Sequence, residues 1–379
     1  MRTQFNFILK SICRCTILIW VLYSGSLSSQ AFALNNRCSE PVFGVSNISI
    51  DQRAETAAIA RDIGVRKAAE QAFLMVLDRL LLPNEKKDVF VRSHDLDDFS
   101  DFTHIVEENS LDQRYIATLD FCFDATRLRK AMINADLSWS ELQSPPILVI
   151  PVWKGPEGAR VWHQGNEWLS EWWHEINEYD GLLSFRLLER NLINERQFRG
   201  EDFTLANGLK LSRAASLVNA DQVMVVVASL DYKGSDPLVN VTARIFDENV
   251  RMITDILSDD QVVVRDSRGQ NLGFVRSKII SKIETSWHMA NLIDDSTANY
   301  LTVFLPVKSI KDWANRLHAL DQIAIVQNYR ILSLNTQGGR ITMRFAGSRQ
   351  ALKNALAAHR LQLIDKNDEG AISIEPSNG

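Results

Sequence analysis

The chain has 379 residues, of which 45% are hydrophobic and 23% charged, and these near-average values exclude disordered, collagen-like and disulfide-scaffold classes. At roughly 150 residues per domain the length implies two or three domains. The 42 basic and 47 acidic residues leave a formal charge of −5, which excludes a nucleic-acid footprint spread over the whole protein.

The N-terminus carries Arg2, Lys10 and Arg14, then an apolar stretch from Ile17 to Leu22, then Ser24-Gly25-Ser26 and Ala31-Phe32-Ala33. This order is that of a secretory signal peptide, with cleavage expected between Ala33 and Leu34. The apolar stretch is shorter than the roughly 20 residues that span a bilayer, so a retained N-terminal anchor is the weaker alternative. Cys13 and Cys15 precede the stretch, where no lipobox cysteine would stand. Without residues 1–33 the chain has 346 residues and a formal charge of −8. It then keeps one pair of cysteines, Cys38 and Cys122, and export to an oxidising compartment leads us to expect a disulfide between them. The alternative is two unrelated small core residues.

Three globular regions follow, making an α+β or α/β multidomain chain. The first, 34–143, is expected to be a small α/β unit: a strand near Phe43–Ile50, then a long helix from about Arg53 to Leu82. Val65, Ala69, Ala72, Val76 and Leu80 share one face of that helix, and Pro83-Asn84 ends it. A polar stretch with a short helix around Phe99–Glu107 precedes an alternating strand, Tyr115–Phe123, and a helix, Ala125–Ala135, capped by Asp124. Ser144-Pro145-Pro146 reads as a boundary.

The second region, 146–293, opens with Ile147–Trp153, an apolar run suited to a strand buried on both faces. The turn Gly155–Gly158, a helix Asn166–Glu178, a strand Leu183–Leu187 and a helix Phe203–Leu217 come next. A second buried strand, Val223–Leu230, leads to antiparallel strands at Leu238–Phe246, Arg251–Ser258 and Gln261–Arg265, and a helix Asn271–Leu292 closes the region. This order predicts a mixed sheet with helices on both faces. The third region, 298–376, has the order of a ferredoxin-like βαββαβ domain. Its strand Tyr300–Val307 precedes a helix capped by Ser309, with Ile310, Trp313, Leu317 and Leu320 on one face. A hairpin, Ile323–Leu334 with Arg340–Phe345, turns at Asn335–Gly339. Ser348 caps the next helix, and strands Leu361–Ile364 and Ala371–Ile374 finish the sheet.

Catalytic motifs are missing from the chain: it has no G-x-S-x-G elbow, Walker A loop, G-x-G-x-x-G or H-E-x-x-H. Gly155-Pro156-Glu157-Gly158 lacks the Lys-Ser/Thr of a phosphate loop and reads as a plain turn. His174, flanked by Glu171 and Glu178 and with His163 nearby, has ion-pair spacing rather than a metal-ligand set. Asp95, Asp97, Asp98 and Asp101 lack the glycine and glutamate of a calcium loop. No metal and no cofactor is expected.

Tryptophan is the local anomaly, since six of nine fall at Trp139, Trp153, Trp162, Trp168, Trp172 and Trp173. Packing of the helix against the Trp153 strand is one reading. The sharper one is an exposed aromatic surface, formed by Trp153, Trp162, Asn166, Trp168, Trp172 and Trp173, for a glycan, a peptide or a partner protein.

The signal segment, Val76–Leu80, Ile147–Trp153, and Val161-Trp162 through Asn166, Trp168 and Trp172 resemble exported bacterial proteins of the domain of unknown function 2066 family. Leu187–Arg190 and Asn219–Leu230 are similar to the α/β domain that opens the translocation protein TolB and occurs in curli-secretion lipoproteins, although this chain has neither propeller nor lipobox. The first resemblance implies no assigned activity and no catalytic residues. Two classes of function remain. One is a non-catalytic periplasmic assembly or interaction factor whose partner is an envelope protein or a glycan, with no nucleic acid, and membrane contact through the uncleaved precursor alone. The other is an envelope hydrolase using Glu157, Glu167 or Glu171 beside the tryptophans. We expect the first.

Overall fold

The computed structural model describes residues 38–82, 85–162, 166–233, 236–247, 249–263, 270–366 and 371–377. The signal segment with its Ala33–Leu34 junction, Pro83-Asn84, His163 and Arg265 lie outside the described residues. The chain forms two compact units, one from residues up to Phe73 with Leu96–Ala125, the other from Leu74–Asp95 with Thr126 onward.

In the first unit, β1 (Gly44–Arg53), β2 (Ser100–Leu111) and β3 (Arg114–Phe123) make an antiparallel sheet in the order β1-β3-β2. Helix α1 (Ala57–Leu80) begins here. Its buried row runs Ala60, Gly64, Ala68, Ala72, Val76, while Val65 and Ala69 are half-buried, so the expected face is rotated by one position. Small residues decide this: a Cβ on Gly64 would lie 2.6 Å from Ile50, so the helix seats closely only where side chains are minimal. Phe73 then stacks on Phe99 and meets Phe123 at a tilt, both with ring centroids 5.4 Å away. The helix expected over Phe99–Glu107 is instead strand β2. Phe102, Thr103, Ile105 and Val106 favour extended backbone, and β3 supplies the hydrogen-bonding partner that a lone segment lacks. Cys38 and Cys122 are joined by a disulfide with Cα atoms 5.6 Å apart.

The second unit includes α2 (Glu85–Ser93) and α3 (Ala125–Asn134), of which α2 falls in the polar stretch whose one expected helix is around Phe99–Glu107. Its larger sheet takes β4 (Pro146–Gly155), β5 (Gly158–Arg160), β6 (Ser184–Leu187), β7 (Gln222–Lys233), β8 (Asp236–Phe246) and β9 (Met252–Val263). The order is β5-β4-β7-β8-β9, with β6 also on β4; β4 is parallel to β6 and β7 and the remaining pairs are antiparallel. The two strands expected over 251–265 are thus one, β9. Helices α4 (Glu167–Glu178) and α8 (Gln270–Ala290) cover one face; the opposite face takes α5 (Leu192–Gln197), α6 (Gly200–Thr204) and α7 (Gly208–Leu217). The single helix expected over Phe203–Leu217 is broken because Ala206 has φ +52° and Asn207 caps a new helix through Lys210 N. The mixed α/β sheet with helices on both faces is as read.

The smaller sheet of this unit joins β10 (Ala298–Pro306), β11 (Val326–Asn335), β12 (Gly338–Ala346), β13 (Leu361–Lys366) and β14 (Ala371–Pro376) in the order β11-β12-β10-β14-β13. Its helices are α9 (Ile310–Asp321) and α10 (Arg349–Ala358), capped by Ser309 and Ser348. Here the ferredoxin-like pattern is modified: β14 inserts parallel to β10 and displaces β13 to the edge. Trp313, Leu320, Leu352 and Leu356 are buried, but Ile310, in the first turn of α9, is exposed.

Candidate functional site

The tryptophan segment starts from a cap. Asn166 Oδ1 accepts from Leu169 N at 3.1 Å and its Nδ2 donates to the Val161 carbonyl at 2.6 Å, which ties the start of α4 to the chain after β5. Four residues apart on α4, Trp168 and Trp172 face the sheet, wholly buried and edge to face with centroids 5.7 Å apart. Trp168 Nε1 donates to the Val226 carbonyl at 3.0 Å, whereas the buried Trp172 Nε1 has no partner. Trp153 packs with them, half-buried; Trp162 packs against the core on the opposite face of the sheet. Trp139 is buried and donates to Glu141. Trp173 alone of the six is well exposed, at 51%. Of the two readings of this segment the structure has core packing, and the aromatic surface is not assembled: Trp153, Trp168 and Trp172 fill one core, Trp162 lies across the sheet, Asn166 is a cap, and Trp173 stands apart.

The three carboxylates considered for hydrolysis are likewise dispersed. Glu157 pairs with Arg160 at 2.9 Å in the β4–β5 hairpin, Glu167 is exposed at the start of α4, and Glu171 is held by Arg276 of α8. His174 pairs with Glu178 at 3.3 Å on the solvent side.

What the fold does bring together is a cavity of about 480 Å³ between α4, α8 and the end of α1. The Arg276 Nη2 group reaches Glu175 at 2.8 Å while its Nη1 holds Glu171, so one guanidinium joins two turns of α4 to α8. Tyr179 donates to Glu284 Oε1 at 2.5 Å and accepts from Leu183 N at 3.3 Å. Arg79 closes another wall, paired to Asp180 Oδ1 at 2.5 Å and donating to its carbonyl at 2.9 Å. His288, 6% exposed, also lines the cavity, and its Nδ1 has no partner.

Burial dominates the electrostatics here. It pushes the Tyr179 phenol far up, and the hydrogen bond to Glu284 adds to this. Burial also raises Glu284; the Tyr179 hydroxyl opposes the shift and the Glu175 charge reinforces it. His288 is lowered by burial, so its imidazole is neutral at pH 7. The cavity thus combines hydrogen-bonding groups shifted by burial, Tyr179, Glu284 and His288, with paired charges along its walls. Among the described residues no group of three or more His, Cys, Asp or Glu could hold a metal ion, and no helix is long and apolar enough to cross a membrane. Sequence reasoning missed Arg79, Glu175, Tyr179, Asp180, Glu284 and His288. The one available signal was Glu284 and His288 four apart on a predicted helix, which by itself is a common surface spacing.

No protein-family model matches the chain, and no curated protein sequence matches it. Parts of it are similar in fold to three solved structures. The lipoprotein GNA1162 from Neisseria meningitidis is 15% identical, with a TM-score of 0.25, over 38% of this chain and 99% of that one. A PelC dodecamer from Paraburkholderia phytofirmans is 14% identical, with a TM-score of 0.22, over 36% of this chain and 89% of that one. TolB from Acinetobacter baumannii is 15% identical, with a TM-score of 0.23, over 43% of this chain and 33% of its own length. Likenesses at this level assign no activity, and the resemblance to the domain of unknown function 2066 proteins rests on the sequence motifs.

Proposed function

We propose that the protein is exported and serves the cell envelope as a non-catalytic assembly or interaction factor. The observation that carries this reading is the set of aliphatic side chains displayed to solvent on and between the short helices α5–α7. Leu192, Ile193, Leu205 and Leu209 are all exposed, Leu209 at 87%. Isolated exposed leucines are ordinary, but four such side chains within eighteen residues expose apolar area that gains free energy by being covered. The Cys38–Cys122 disulfide supports export, because such bonds persist in oxidising compartments.

A photo-crosslinking residue at position 209, installed in the full-length protein in growing cells, tests this. Discrete adducts from position 209, absent from a probe at the exposed Lys130 and lost in L205E, are expected in the fraction released by outer-membrane permeabilisation. Absence of adducts at 209, or retention of the protein with the cytosol, would overturn the proposal.

A further inference from the structure

The smaller sheet presents its helix-free face to solvent, and the strand register specifies what that face carries. On β10 and β12, Tyr300 lies opposite Arg344, Thr302 opposite Thr342, and Phe304 opposite Arg340. The Thr302 and Thr342 hydroxyls meet at 2.8 Å, which puts both strands' residues on the same face. Across β11, Arg330 lies opposite Thr342 and so joins them. The intervening residues Val303, Leu305, Ile341 and Met343 are buried on the other side with the helices. Directly opposed residues stand about 5 Å apart and residues four apart on one strand about 13 Å, so three guanidiniums and two aromatic rings occupy one platform.

Its charge runs against that of the whole chain, −5. Arg330 and Arg340 are exposed and pair with no acid among the described residues. Arg344, held by Gln327, also donates to Asp295 at 3.2 Å at one end of the platform, and Glu375 of β14 accepts from Ser373 at 2.9 Å. Tyr300, 71% exposed, offers a flat apolar ring at one end of the platform, and Phe304, half-buried, lies opposite the exposed Arg340.

We propose that this face binds a linear anionic polysaccharide, its uronate carboxylates on Arg330 and Arg340 and its sugar rings against Tyr300 and Phe304. Guanidinium forks match planar carboxylates in bidentate fashion, and aromatic faces take the apolar side of a ring. A sheet face with aromatic and basic residues can also stack the bases of single-stranded nucleic acid. The choice of glycan rests on the reading of the protein as exported; the binding assay itself does not depend on location.

Titration of the purified full chain with polygalacturonate, followed by calorimetry, with neutral dextran and a single-stranded DNA oligomer as comparisons, tests the proposal. Binding of polygalacturonate that weakens steeply from about 50 to about 300 mM salt is expected, with none of dextran. R330Q/R340Q should weaken it about tenfold or more, R330K/R340K by less, and the off-face control K130Q/K311Q not at all. Y300A should weaken binding while leaving its salt dependence unchanged. No binding of polygalacturonate, or an equal loss in K130Q/K311Q, overturns the site; tighter binding of the DNA than of the glycan overturns the glycan. Crosslinking at position 209 should be unaffected by R330Q/R340Q, so the two proposals fail separately.

Discussion

Trp168 and Trp172 sit on the same helix, are equally buried and touch each other, but only one has a partner for its N–H. This makes a sensitive test of the packing. Burying an indole removes roughly 150–250 Å² from water, about 4–6 kcal/mol at about 25 cal/mol/Å²; alanine keeps part of that burial and the site collapses in part, so W168A should cost about 3–5 kcal/mol. W168F keeps most of the ring and loses one hydrogen bond, leaving the Val226 carbonyl without this donor, and should cost about 2 kcal/mol. At Trp172 the same change removes a buried donor that is already unpaired, so W172F should cost at least about 1 kcal/mol less than W168F. W173A, at an exposed position, should stay within about 0.5 kcal/mol. Urea denaturation followed by far-UV circular dichroism gives all four values, provided the m-value is unchanged between variants. The reasoning fails if W168A costs less than about 1.5 kcal/mol, or if W172F equals or exceeds W168F.

Other consequences are as direct. C38S/C122S, or reduction, opens a link across 84 residues and should lower stability by about 4–5 kcal/mol in the chain-entropy model; a loss below about 1 kcal/mol in denaturant would contradict it. Replacing Arg276 by Met strands Glu171 and Glu175, whose side chains are about a quarter exposed, and after allowance for solvent screening should cost about 2–3 kcal/mol, recovered in part by adding E171Q/E175Q. His288 has a folded-state pKa depressed below its ordinary 6.5, so its contribution is present above pH 6.5 and is lost as pH falls through the folded value. H288F should therefore lessen the fall in stability on acidification below pH 6.5, and an unchanged slope counts against it. Glu284 is raised, with the opposite sign: its contribution is complete below the unfolded value near 4.5 and is lost as pH rises through the folded one. E284Q, which can still accept from Tyr179, should therefore be more stable than the native chain at pH 7 and lose that advantage near pH 4.

The legibility of the fold followed how completely an element's neighbours were implied by its own pattern. Ile147–Val152 and Val223–Ala228 read as buried strands because a run apolar on both faces has few other homes, and they are adjacent parallel strands. The hairpin joining β11 and β12 was written in Asn335–Gly339, where Asn335 Oδ1 accepts from Gln337 N and Gly338 N. Strand β2 was not legible, since its side chains are nearly all exposed and its extended form depends on the partner β3. Nor was the insertion of β14, because the pairing of β10 with β14 is a long-range choice between two edges of similar apolar character.

Sites were less legible than elements for the same reason carried one step further. The tryptophans were conspicuous in the chain, and their concentration reflects a local need: α4 is short, and filling the space between it, α8 and the sheet takes large rings. Conspicuous composition therefore pointed at core. The cavity of Glu284 and His288, and the face of Tyr300, Arg330 and Arg340, use ordinary residues at ordinary spacings, separated by 12 to 105 positions from the groups they join. Alternation on β10 and β12 tells that Tyr300, Thr302 and Phe304 share one side and that Arg340, Thr342 and Arg344 share one side. It cannot tell that the two sides are the same one, since a slip of a single residue in register would set the arginines against the buried face. The Thr302–Thr342 contact excludes that slip, and with it the platform becomes a property of the pairing rather than of either strand.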